Sequence, residues 1–112
     1  MEKIIRISNK DYRMKASALT QFSYRNETGR SFLTDLQKLT ELKDLGEDFN
    51  SNIDALDRVS DLLLKMAYIM TREADKSQIT NYEDFLGGIE SLYDDTKWIQ
   101  EVLVNVRILK NY

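Results

Sequence analysis

The chain has 112 residues, 42% hydrophobic and 31% charged, with a formal net charge of −3; this is an ordinary globular balance, long enough for one domain with a modest core. It contains no cysteine, histidine or proline, which excludes a disulfide framework, a thiolate ligand or nucleophile, and the side chain most used for metals and for proton transfer near neutral pH. The acidic balance argues against wholesale electrostatic binding of nucleic acid and leaves only a local basic patch to consider.

The N-terminal MEKIIRISNKDY has a short apolar cluster broken by Arg6 and does not read as a signal peptide. Charge is uneven along the chain. Residues 1–30 hold seven Lys/Arg and three Asp/Glu, a net +4, while the remainder carries −7. A basic end and an acidic body suggest oriented contacts with a partner.

Ile4 to Ala16 reads as a β-hairpin. Placing the turn at Asn9-Lys10 puts Ile7 opposite Tyr12 and Ile5 opposite Met14, four residues on one buried face. The other face then holds Ile4, Arg6, Arg13 and Lys15, with Arg6 and Arg13 paired as like charges. Ser17 is a suitable N-cap for a helix over about 18–28, with Leu19, Phe22 and Tyr24 as apolar contacts. Gly29 suits the left-handed residue that closes many helices. Ser31 can cap the next helix, which uses Phe32, Leu33, Leu36, Leu39 and Leu42 and stops at Gly46.

Residues 47–52 read as a polar loop. A long third helix is expected over about 53–74, with Ile53, Leu56, Val59, Leu63, Met66, Ala67 and Met70 at helical spacing. Leu62, Leu64, Tyr68 and Ile69 widen this stripe to most of the circumference, so the helix should be central or covered by a partner. Its apolar run LLLKMAYIM is too short to cross a bilayer and carries Lys65. Thr80-Asn81-Tyr82-Glu83 reads as a capping box opening a short helix with Tyr82, Phe85, Leu86 and Ile89. Asp94 or Asp95 starts a last helix bearing Trp98, Ile99, Val102, Leu103, Val106 and Leu109. The expected fold is α+β, mainly α, over a single domain 1–112: a hairpin at 1–16 and a helical body of about five helices at 17–112.

No motif carries covalent chemistry. Asp48, Asn50, Asn52 and Asp54 alternate like the start of a calcium loop, but Ile53 stands where that loop needs glycine and Val59 where it needs a bidentate glutamate. The carboxylates from Glu41 to Asp61 look like a solvated helix face, with Asp54, Asp57 and Asp61 near Arg58 and Lys65. Gly87-Gly88 follows no strand and lacks phosphate-loop neighbours. The chain is therefore read as a non-enzyme with no metal and no cofactor. Phe22, Phe32, Phe85 and Trp98 are expected in the core, and Tyr12, Tyr24 and Tyr82 as amphipathic edges of a contact surface. Arg6, Arg13 and Lys15 could instead meet phosphates or bases if the ribbon entered a DNA groove.

The stretch YRNETGRSFLTDL, residues 24–36, sets Arg25 and Arg30 around Gly29, where they could bond free helix carbonyls or the acidic face, with Glu27 as a local partner. The candidate contact residues are accordingly Arg6, Arg13 and Lys15 on the hairpin and Tyr24, Arg25 and Arg30 at this corner.

A basic hairpin, then A-x5-Y-R-x-E-x-G-x-x-F-x-x-D-L, a long Leu/Met/Ala/Tyr helix, a Tyr-Glu-Asp-Phe-Leu helix and a Trp-bearing terminal helix together resemble the tail assembly chaperones of long-tailed bacteriophages of Gram-positive bacteria. In that family the segment after the hairpin often reads Y-R-x-x-F-G-x-D; Tyr24, Arg25, Gly29, Phe32, Asp35 and Leu36 match its flavour, whereas Thr28 and Ser31 depart from it. The resemblance implies a non-enzymatic protein of the host bacterial cytoplasm. It would coat the tape-measure protein, help recruit tail-tube subunits, self-associate, and be absent from the finished particle. No membrane role is implied, and a small DNA-binding regulator is the alternative.

Overall fold

A computed structural model describes residues 2–44, 53–89, 97–99 and 101–102. The expected loop at 47–52 with its calcium-like run, the stop at Gly46, the helix start at Asp94 or Asp95, and Leu103, Val106 and Leu109 lie outside the described residues. So do the side chains of Leu42, Ile53, Leu56 and Val59.

The fold is α+β and mainly helical. Strands β1 (Glu2–Ile7) and β2 (Lys10–Lys15) form an antiparallel hairpin. The turn is Ser8-Asn9, not Asn9-Lys10. Both turn residues have positive φ, 50° and 67°, as the twist of a two-residue hairpin demands. The register is thus displaced by two: Ile5 faces Tyr12, Ile7 faces Lys10 and Ile4 faces Arg13. A slip of two preserves side-chain parity. Ile5, Ile7, Tyr12 and Met14 therefore all remain buried on the inner face. The displacement also removes the expected Arg6–Arg13 clash, since Arg6 faces Asp11 and Glu2 faces Lys15.

Helix α1 (Ala18–Thr28) begins at Ser17, which forms a capping box with Thr20. Ser17 Oγ accepts from the Leu19 amide at 3.2 Å, and Thr20 Oγ1 accepts from the Ser17 amide at 3.0 Å. Both hydroxyls donate to the Glu73 carboxylate, at 2.9 and 3.1 Å. The cap thus ties α1 to the third helix. Gly29 closes α1 with φ 71°, its amide donating to the Arg25 carbonyl at 2.9 Å. Helix α2 (Phe32–Asp44) starts where the Thr34 amide donates to Ser31 Oγ at 3.2 Å. It buries Phe32, Asp35, Leu36 and Leu39, an i, i+3, i+4, i+7 stripe.

Helix α3 (Ile53–Ala74) is the centre of the domain. Leu63, Leu64 and every residue from Met66 to Thr71 are buried. β2, α1, α2 and α4 (Tyr82–Gly87) all pack on α3. The N-cap of α4 is Asn81, whose Oδ1 accepts from the Asp84 amide at 2.8 Å. The expected Thr80–Glu83 box is displaced by one residue, because the Asn81 side chain reaches the free amide itself. Trp98, Ile99 and Val102 are buried in helical backbone. Tyr12, Tyr68, Tyr82 and Phe85 form a run of ring contacts with centroids 5.2–6.5 Å apart.

Candidate protein-contact surface

Two groups of candidate residues emerge, one at the α1–α2 corner and one on the outer face of the hairpin. At the corner, Tyr24 is in the core at 1% exposure, with its ring edge-on to Phe32. Its hydroxyl donates to Asp35 Oδ2 at 2.5 Å. Arg30 grips the same carboxylate with two bonds, Nε to Oδ2 at 2.9 Å and Nη2 to Oδ1 at 3.0 Å. Burial alone would raise the Asp35 carboxyl, but the bonds from Arg30 and Tyr24 outweigh it and hold the carboxyl below its ordinary value. Burial, with Asp35 adding to it, raises the Tyr24 phenol. Thr28 completes the corner: its Oγ1 donates to the Tyr24 carbonyl at 2.7 Å and accepts from the Arg30 amide at 3.1 Å.

Tyr24 and Arg30 are thus committed to holding α1 against α2, and Tyr24 offers no surface to a partner. Glu27 does not pair locally as expected. It pairs with Arg72 of α3, whose Nη1 donates to Glu27 Oε1 at 2.7 Å. Arg25 stays exposed and makes no ion pair among the described residues.

Beside Arg25 lies a groove of about 430 Å³ lined by Gln21, Phe22, Arg25, Ser31, Phe32 and Leu33. Phe22 is 64% exposed, Leu33 52%, and Leu19, one turn before Phe22, 57%. These three were expected to be apolar contacts of the domain. They are not, because α1 faces α3 with Thr20 and Tyr24, and the Leu19–Phe22 stripe lies off that face. Phe22 and Leu33 on the groove, with Leu19 one turn before Phe22, make the apolar part of the candidate surface.

On the hairpin, Arg6 and Asp11 are 3.6 Å apart, and Arg13 reaches Glu2 at 3.3 Å and Asp75 at 3.4 Å. Lys15 is exposed opposite Glu2. The outer edge of β2 is closed by Gln78. Its Oε1 accepts from the Arg13 amide at 3.0 Å, and its Nε2 donates to the Arg13 carbonyl at 3.1 Å and to the Thr71 carbonyl at 3.0 Å. A side-chain amide there replaces the peptide of a third strand.

Among the described residues no cluster of acidic, histidine or cysteine side chains could hold a metal ion, and no helix is long and apolar enough to cross a membrane. Comparison with protein-family models, curated proteins and solved structures returned no match.

Proposed function

We propose that this chain is a phage tail assembly chaperone: a non-enzymatic protein that binds the tape-measure protein, helps recruit tail-tube subunits in the host bacterial cytoplasm, and leaves before the particle is complete. The observation that carries the reading is the pair of exposed apolar side chains lining the corner groove, Phe22 and Leu33, with Arg25 in the same lining and Leu19 exposed one turn before Phe22. A tape-measure protein, long, helical and apolar by the family resemblance, would aggregate if left bare. A groove of this kind takes the apolar stripe of a helix, while a rim arginine takes a carboxylate from the polar side. The three residues fall at unspecified positions of the longer A-x5-Y-R-x-E-x-G-x-x-F-x-x-D-L stretch, Ala18 to Leu36, from which the resemblance is drawn.

DNA binding through the hairpin draws less support. The Arg6 and Arg13 guanidiniums already face Asp11, Glu2 and Asp75, so phosphates would have to displace internal carboxylates. The test is co-expression with a candidate tape-measure protein and a candidate tail-tube protein, followed by pull-down. Capture of the tape-measure protein supports the proposal. Capture of neither protein, together with DNA affinity that falls steeply with salt, would overturn it in favour of the alternative.

A further inference from the structure

The two edges of the hairpin are treated differently. With a two-residue turn, the pairs Ile7–Lys10, Ile5–Tyr12 and Lys3–Met14 exchange the ladder bonds, so the backbone groups of the residues between them point outward. On β2 the outward groups of Arg13 are taken by Gln78. On β1 the outward groups belong to Glu2, Ile4 and Arg6, and among the described residues nothing pairs with them. Ile4 is 62% exposed on this open edge. An open edge strand is a template for another strand.

We infer that β1 pairs antiparallel with β1 of a second copy of this chain, about a two-fold axis at Ile4. The sequence of the edge is what selects a second copy. Centring the pair on Ile4 sets Ile4 against the partner's Ile4, Glu2 against the partner's Arg6, and Arg6 against the partner's Glu2. All three belong to the outward-bonding set, so each pair exchanges both backbone bonds. The hairpin register then extends the pattern across four strands. Asp11, Arg6, the partner's Glu2 and the partner's Lys15 lie in one row, with charges alternating in sign, and the symmetry axis repeats that row in reverse. The middle row is Arg13, Ile4, the partner's Ile4 and the partner's Arg13, which covers the exposed isoleucine. Sliding the pair by two residues in either direction sets Ile4 against a charged side chain and breaks the alternation. A short strand pair buries little area, so the association is weak and concentration-dependent. It stands on the hairpin alone and does not rest on the chaperone reading.

The experiment is sedimentation equilibrium of the full chain. The weight-average mass should climb from monomer toward dimer as concentration is raised to about 1 mM. Ile4→Lys, at an exposed position that leaves folding intact, should weaken the dimer by about tenfold or more by setting like charges across the axis. Two further variants separate this interface from any other. Glu2→Arg and Arg6→Glu should each remain monomeric alone, because each sets like charges across the axis. Mixed in equal amounts they should form a heterodimer, since both pairs that face each other across the axis are again opposite in charge. A wild-type chain that stays monomeric to about 1 mM overturns the inference. So does a dimer unaffected by Ile4→Lys, or a mixture no more associated than its components.

Discussion

The Tyr24 hydroxyl of α1 donates to Asp35 of α2 at 2.5 Å, and Arg30, from the turn between the two helices, holds the same carboxylate with two further bonds. A buried carboxylate that takes three bonds, one from the preceding helix and two from the turn, fixes the angle between two helices. Tyr24→Phe removes one donor from a charged acceptor and should cost about 1.5–3 kcal/mol in urea denaturation. Asp35→Ala should cost more than Tyr24→Phe, because it orphans the buried Tyr24 hydroxyl as well as Arg30. Equal stability of wild type and Tyr24→Phe would show that the bond contributes nothing.

Tyr12 provides the opposite case. Its ring is buried against Phe85, yet its hydroxyl has no hydrogen-bond partner among the described residues. Removing an unsatisfied buried hydroxyl relieves its desolvation cost. Tyr12→Phe should therefore be neutral or stabilising by up to about 1 kcal/mol, measured in the same assay. A loss comparable with that of Tyr24→Phe would contradict this.

The corner also sets two limbs of a pH–stability profile. Asp35 has a lowered folded-state value, so its contribution is complete above the unfolded value of about 3.9 and is lost as pH falls through the folded value. Tyr24 has a raised value, so its contribution is complete below about pH 10 and is lost as pH rises beyond that. Thermal melts should show both limbs. Asp35→Asn should flatten the acid limb and Tyr24→Phe the alkaline one. Limbs that both variants leave unchanged would assign the titrations elsewhere.

Gln78 closes the β2 edge at Arg13. Gln78→Ala should cost about 1–2 kcal/mol and speed hydrogen exchange at the Arg13 amide more than at Tyr12, whose amide is held by β1. Leu63→Ala or Met66→Ala, both at fully buried positions of α3, should cost about 2–5 kcal/mol.

Much of the fold was legible in the sequence. The bounds of α1 and α3 followed from Ser17, Gly29 and the apolar period, and the buried face of the hairpin followed from its alternation. The register did not, because hydrophobic alternation is blind to a slip of two and only the turn decides it. Phe22, Leu19 and Leu33 carry the spacing of core residues but stand outside. Tyr24 reads as an apolar contact of α1 and is one, but local pattern cannot show that Thr20 faces inward beside it, since the groups that satisfy the two hydroxyls, Glu73 and Asp35, come from other helices. For the same reason the candidate surface was legible only in part. Arg6, Arg13, Lys15, Arg25 and Arg30 are exposed as expected, whereas Tyr24 is core, and Arg6, Arg13 and Arg30 are engaged in ion pairs within the domain.

The most direct measurement is light scattering of the tape-measure protein as it is diluted from denaturant, with and without this chain. Wild-type chain should suppress aggregation. Phe22→Ser with Leu33→Ser, both at exposed positions that leave the core intact, should fold normally by circular dichroism and lose most of that effect. Aggregation undiminished by the wild-type chain, or suppressed as well by the double variant, would contradict the assignment of this groove to an apolar helical client.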